Sequence, residues 1–146
     1  MRRCLLDTAV FVYAVGEAHP YREPCRDIVE QLASGEIAGE ASVELVQEFL
    51  HVRARRTGDR EGAVEAARRV GELCKLHDSE HRDLTLSLRL FVLHRALDAR
   101  DALYAATALN RGIDAIVATD QGFDDVAGLE RIDPRDRAAM DRLTRR

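Results

Sequence analysis

The sequence predicts an α/β protein whose parallel sheet is flanked by helices. Three observations point there. Short apolar runs alternate with longer stretches of helical spacing along the whole chain. Two of the runs, Cys4-Leu5-Leu6 and Ile113-Asp114-Ala115-Ile116-Val117-Ala118, read as buried strands. Both run into an acid, Asp7 and Asp120, at the strand end where open α/β sheets present their ligand crevice.

The elements follow in order. Thr8 opens a first helix through Val15, and Gly16 with His19-Pro20 marks a loop. Cys25, Ile28, Val29 and Leu32 give helical spacing over Tyr21 to Leu32, stopped by Ser34-Gly35. Ile37 to Ala41 is a weak short strand. Ser42 is placed to cap a helix from Val43 to about Arg55, and Thr57-Gly58-Asp59 separates it from another over Arg60 to Leu73. Cys74 to Asp78 reads as an edge strand, and His81 to Leu97 as a helix carrying Leu84, Leu88, Phe91 and Val92. Asp98-Ala99-Arg100-Asp101 initiates a helix of small residues, Ala102 to Leu109, closed by Asn110-Arg111-Gly112. Ile113 to Asp120 is the clearest strand, Gly128 to Pro134 holds a last short one, and the tail to Arg146 is a charged helix or frayed end. No linker, repeat or low-complexity tract divides the chain, so residues 1–146 are expected to form one domain.

Composition excludes several classes. The formal net charge is -4, so the chain is not basic overall, and any nucleic-acid contact must use local patches. Three widely spaced cysteines, Cys4, Cys25 and Cys74, suit a reducing compartment, and no segment has the length of a membrane span. The N-terminal stretch lacks a signal-peptide pattern, because Asp7 interrupts it; a cytoplasmic protein is expected.

Asp7 and Asp120 meet in one crevice if their strands are neighbours. Asp98 and Asp101 have the spacing of an acidic cap, in which Asp98 caps and Asp101 is left for the site. A fourth acid must come from the helix after Ser42, where Glu44 and Glu48 are both available. At about 100° per residue, Val43, Leu45, Val46, Phe49, Leu50 and Val52 share an apolar arc. Glu44 lies opposite that arc, whereas Glu48 lies at its margin, roughly 40° from Val52. Glu48 is therefore the expected site acid. Carboxylates gathered this closely do not all stay ionised without a cation, and hard oxygen donors select Mg²⁺ or Mn²⁺. Such an ion suits activation of water for attack on a phosphodiester.

Leu5-Leu6-Asp7-Thr8, Ser42 with Glu48 six residues on, Asp101-Ala102-Leu103-Tyr104-Ala105-Ala106 and Ala118-Thr119-Asp120-Gln121-Gly122-Phe123 occur here in that order. Together they resemble a PIN domain, and more narrowly a VapC-type toxin ribonuclease of a bacterial toxin–antitoxin pair. The resemblance covers nearly the whole chain. It implies a three-layer α/β/α sandwich with a central five-stranded parallel sheet, and Mg²⁺-dependent cleavage of single-stranded or looped RNA. It also implies Asp7, Glu48, Asp101 and Asp120 as catalytic and metal-binding acids, with Thr8 and Thr119 as helpers and Asp124 as an extra acid. A cognate antitoxin and a homodimer belong to the same expectation.

Other classes fit less well. A haloacid-dehalogenase-type phosphatase needs an Asp where Ala9 stands, and a receiver-like domain needs a Lys after a late strand, whereas the chain's single Lys is Lys75. A di-metal helical bundle needs paired Glu-x-x-His helices, and beside Glu48 to His51 the second copy begins with Asp78. A non-enzymatic PIN-like binding module would be favoured by a broken acid quartet, and all four acids are present. Arg53, Arg55, Arg56 and Arg100 are the cations placed to hold phosphates, with helix-end solvation as their ordinary role.

Overall fold

The computed structural model describes residues 1–144; Arg145 and Arg146, with the end of the expected charged tail, lie outside the described residues. Five strands, β1 (Arg3–Leu6), β2 (Ala38–Ser42), β3 (Lys75–His77), β4 (Ala115–Val117) and β5 (Glu130–Ile132), form one parallel sheet in the order β3-β2-β1-β4-β5. Helices α1 (Thr8–Val15), α2 (Arg22–Ser34), α3 (Val43–Thr57), α4 (Arg60–Leu73), α5 (His81–Leu93), α6 (Ala99–Asn110) and α7 (Arg137–Asp141) connect and flank it.

This order positions the site. The chain moves from β1 to β2 to β3 in one direction, then returns across the sheet to β4 and β5. Right-handed crossovers put helices of the two directions on opposite faces. The helices segregate accordingly: α1 packs on α2 and α3, and α3 on α4, while α5 packs on α6. β1 and β4, whose connections leave in opposite directions, are neighbours with Leu6 paired to Val117. Their carboxyl ends are therefore the switch point of the sheet, where a crevice opens.

β1 and β4 are continuous apolar runs because both faces are covered: Cys4, Leu5, Leu6, Ala115, Ile116 and Val117 have no exposed surface. Gly39 lets α2 approach β2 closely, since a Cβ there would collide with Leu32 and Leu6. Glu40 is the exception in the sheet. It is buried, yet Arg3 donates to both its oxygens (2.6 and 2.9 Å) and His77 Nε2 lies 2.7 Å away. Hydrogen bonds from Arg3 hold the Glu40 carboxyl below its usual range.

Three sequence expectations need correction. The helix from His81 stops at Leu93 rather than Leu97, because the chain turns there to bury Leu97. The strand expected from Ile113 to Asp120 is only Ala115–Val117. Ile113 N instead closes the end of α6 on Ala108 O, and Asp120 starts a 3₁₀ turn over Gln121–Phe123. Ser42 occupies the cap position of α3 but makes no capping bond, and its buried Oγ has no partner. Among the described residues, no helix is long and apolar enough to cross a membrane.

Candidate active site

Four elements deliver acids to one cleft of about 850 Å³ at the carboxyl ends of β1 and β4. Asp7 follows β1 directly, its backbone N–H bonded to Val117 O at 3.0 Å. It stands in the cap position of α1 but its side chain caps nothing, so the plain capping role is removed. Asp120 lies three residues past the end of β4, and its Oδ1 accepts from Gly122 N at 2.8 Å. Asp101 lies in the first turn of α6, where Asp98 does the capping by accepting from Asp101 N at 2.7 Å. The cleft is lined by Asp7, Thr8, Glu48, Asp98, Asp101, Thr119 and Asp120, among others.

Glu48 reaches the cleft from α3 and is held there. Thr8 Oγ1 and Tyr104 OH each donate to Glu48 Oε2 at 2.7 Å and lie 2.9 Å from one another. Arg100 Nη1 is 3.2 Å from Glu48 Oε1. Glu44 does not line the cleft; Ser79 Oγ donates to its carboxylate on the side of the β3–α5 loop. It is thus half-buried and partnered, not directed into open water as helical geometry alone suggested.

The electrostatics express the crowding. Asp7 is only 6 % exposed, and burial, followed by the charges of Glu48, Asp120 and Asp98, raises its pKa to about 7 against the pull of the Thr8 amide. Asp101 is pushed up to about 8, by burial first and then by Asp7, Asp98, Asp120 and Glu48. Protons or a cation must offset this repulsion. The donors suit a hard ion: no cysteine lines the cleft, and its one histidine, His19, accepts from Tyr21 N through Nδ1. The residues present fit a divalent cation. Among the described residues, no three His, Cys, Asp or Glu side chains already stand as a ligating group. Glu48 is tied to Thr8, Tyr104 and Arg100, and Asp98 and Asp120 to backbone amides.

Other residues fall where the sequence did not place them. Asp124 does not line the cleft, and its carboxylate is paired with Arg131 at 2.6 Å. Of the four arginines read as phosphate holders, Arg53 and Arg56 line the cleft, Arg55 does not, and Arg100 is engaged by Glu48. Tyr104 was missed as a positioning group. Its signal was present: a phenol three residues after Asp101, on a helix otherwise built of small residues. Burial raises the Tyr104 pKa above its usual value, so the phenol remains a donor. Tyr13 and His19 line the cleft as well, with nothing in their spacing to announce it.

A sheet with this switch point and acids from β1, α3, α6 and the end of β4 defines a class, and the comparisons agree. The PIN domain family model matches residues 4–129, and the chain belongs to that family. Within it, the chain is 41% identical to Ribonuclease VapC7 of Mycobacterium tuberculosis over 138 residues, covering 93% of this chain and 94% of that one. It is 32% identical to Ribonuclease VapC23 of the same species, covering 79% and 90%. Among solved structures, VapBC2 from Rickettsia felis, bound to a DNA fragment from its promoter, superimposes with a TM-score of 0.69 at 15% identity, covering 89% of this chain and 97% of that one. The Mycobacterium tuberculosis toxin VapC20, described as cleaving the sarcin-ricin loop, gives 0.67 at 21% identity, covering 82% and 92%.

Proposed function

We propose that this chain is a divalent-metal-dependent endoribonuclease, the toxin of a toxin–antitoxin pair, which hydrolyses a phosphodiester of single-stranded or looped RNA. The observation that carries the proposal is the convergence of Asp7, Glu48, Asp101 and Asp120 at the switch point. Asp7, Asp101 and Asp120, with Glu48, would hold Mg²⁺ or Mn²⁺, which when bound supplies a lowered water pKa and charge compensation on the phosphate. The chain's own residues do the rest. Burial on β1 and α6 keeps Asp7 and Asp101 poorly hydrated, so their need for a positive partner is strong. Thr8 and Tyr104 fix the Glu48 carboxylate, Thr119 stands at the rim, and Arg53 and Arg56 offer cations to the flanking phosphates.

The antitoxin reading rests on the similarity to VapC proteins and on the acid cleft, which accepts an Arg or Lys of a partner in place of the metal. We place the contact of a homodimer on α5, which exposes Leu84, Leu88, Phe91 and Val92 along one side.

Purified protein incubated with total bacterial RNA and Mg²⁺ is expected to produce discrete cuts that EDTA abolishes and added Mn²⁺ restores. Undiminished cleavage in EDTA rejects the mechanism. Co-expression with the neighbouring small open reading frame is expected to yield a stable complex that no longer cuts.

A further inference from the structure

Three rings stand together beside the acid cleft, with Tyr13 and His19 lining it, and hydrolysis at the acids makes no use of them. Tyr13 lies in the last turn of α1, and His19 and Tyr21 in the loop before α2. The Tyr13 and His19 rings stack with centroids 4.5 Å apart and planes 28° apart. Tyr21 completes the cluster, 5.9 Å from His19 at 12° and 5.4 Å from Tyr13 at 33°. The cluster is fastened from below. Tyr21 OH donates to Asp133 Oδ2 at 2.8 Å, and the Arg135 guanidinium lies 5.5 Å from the Tyr21 ring centre. Tyr21 N donates to His19 Nδ1 at 3.1 Å, which leaves the Nε2 proton on the neutral ring. His19 is exposed, whereas half-buried Tyr13 and Tyr21 also pack against the hydrophobic core, which holds the two phenol rings in place under the imidazole.

Tyr13 and His19 line the same cleft as Asp7, Asp101 and Asp120, together with Arg53 and Arg56. A cleft that combines π faces, cations for phosphates and acids for hydrolysis matches one ligand chemistry, a nucleic-acid strand with a base out of its own stack. We propose that Tyr13 and His19 form a stacking platform for an unpaired RNA base beside the scissile phosphate. This rests on the ribonuclease reading above. Stacking on a ring face is tolerant of base identity, so the platform sets the position of the strand and demands an unpaired nucleotide. It thereby selects loops and single strands over duplex.

The test uses a ten-nucleotide single-stranded oligoribonucleotide with 2-aminopurine at its centre, bound with Mg²⁺ present to the full chain carrying Asp120→Asn so that it is not cut. Binding is expected to quench the 2-aminopurine fluorescence. Tyr13→Leu and His19→Leu should remove the quench and weaken binding by about tenfold, the scale of one stacked base. Tyr13→Phe and His19→Phe should retain both. In the otherwise wild-type chain, the Leu variants should raise KM about tenfold for a short RNA spanning a mapped cut, with kcat within about threefold. His19→Ala, at an exposed loop position, keeps the test open should Tyr13→Leu fail to fold. Unchanged quench and affinity in folded Leu or Ala variants overturns the platform. Normal RNA binding with a weakened antitoxin complex also overturns it, and assigns the rings to a protein partner. A wild-type chain that cuts no RNA rejects the ribonuclease reading instead, while the 2-aminopurine arm still reports on the platform.

Discussion

Asp7 and Asp101 are placed by β1 and α6 where the core beneath them and the acids around them both disfavour the ionised form. Their raised pKa values, about 7 and about 8, set the sign of a pH dependence. Between the ordinary carboxyl range and these values the folded chain binds more protons than the unfolded one, so metal-free stability falls as pH rises from about 4 to about 8. Asp7→Asn should flatten that slope and raise the melting temperature in EDTA at pH 8 by about 3 °C or more. Thermal melts across pH, with and without chelator, check this; a steeper slope in the variant contradicts it. The same substitution should cut activity by more than about a hundredfold, since even outer-shell partners of a metal are worth that much. Glu48→Gln should also abolish most cleavage with the fold intact, whereas Glu44→Gln, partnered only by Ser79, should change it little. Tyr104→Phe keeps the ring but removes a donor to Glu48, and a loss of about tenfold in kcat is expected. That Glu48 rather than Glu44 lines the cleft was legible from helical arithmetic. The hold on it was not, because Thr8 and Tyr104 are 40 and 56 residues away in sequence.

At the scale of elements, α5 and α6 are joined by a buried latch. Asp83 accepts from Arg111 through both oxygens (2.8 and 2.9 Å), from Asn110 Nδ2 (2.9 Å) and from Glu80 N (2.9 Å). Burial alone would raise its pKa; Arg111, Asn110 and the Glu80 amide outweigh that and lower it to about 2. The latch therefore contributes its full stability above the ordinary Asp range and loses it as pH falls through about 2. Asp83→Asn leaves buried Arg111 with only the longer contact to the half-exposed Glu80 carboxylate, 3.4 Å away, and should cost about 1–3 kcal/mol in urea unfolding. Melts from pH 5 to pH 2 should fall steeply in the parent chain and less so in the variant. The outer side of α5 makes a separate prediction. Leu88 and Val92 are 60% and 78% exposed, one turn apart, and Leu88→Glu should convert a dimer to a monomer by light scattering without altering the far-UV spectrum. A parent chain that is monomeric at micromolar concentration removes the assignment of α5 to self-association.

For the molecule as a whole, the charge of -4 means that the proposed RNA substrate would be attracted only where arginines are gathered. Arg53 and Arg56 are the cations that line the cleft without being paired to its acids. Two phosphate contacts on a single strand predict a slope of roughly -1.4 for log affinity against log salt. Arg53→Ala or Arg56→Ala should each halve that slope, as measured by fluorescence anisotropy of a labelled oligoribonucleotide. A much steeper parent slope would mean that further cations, outside this cleft, touch the strand.

The chain by itself determined the layer plan. A strand covered on both faces must be apolar throughout, as Cys4 to Leu6 and Ala115 to Val117 are, and helices must show a periodic stripe; both patterns are local in sequence. The acids that end β1 and β4 were legible for the same reason. What only the tertiary structure decided depends on groups distant in the chain. Glu40 looks wrong in a strand until Arg3 pairs with it and His77 hydrogen-bonds it, which is why β2 read weakly. Asp124 looks like a site acid until Arg131 claims it, and His19 looks like a loop residue until Tyr13 and Tyr21 stack against it. In each case the energy of the side chain is set by a partner that local periodicity does not encode, and the strand order that brings β1 beside β4 supplies the meeting place.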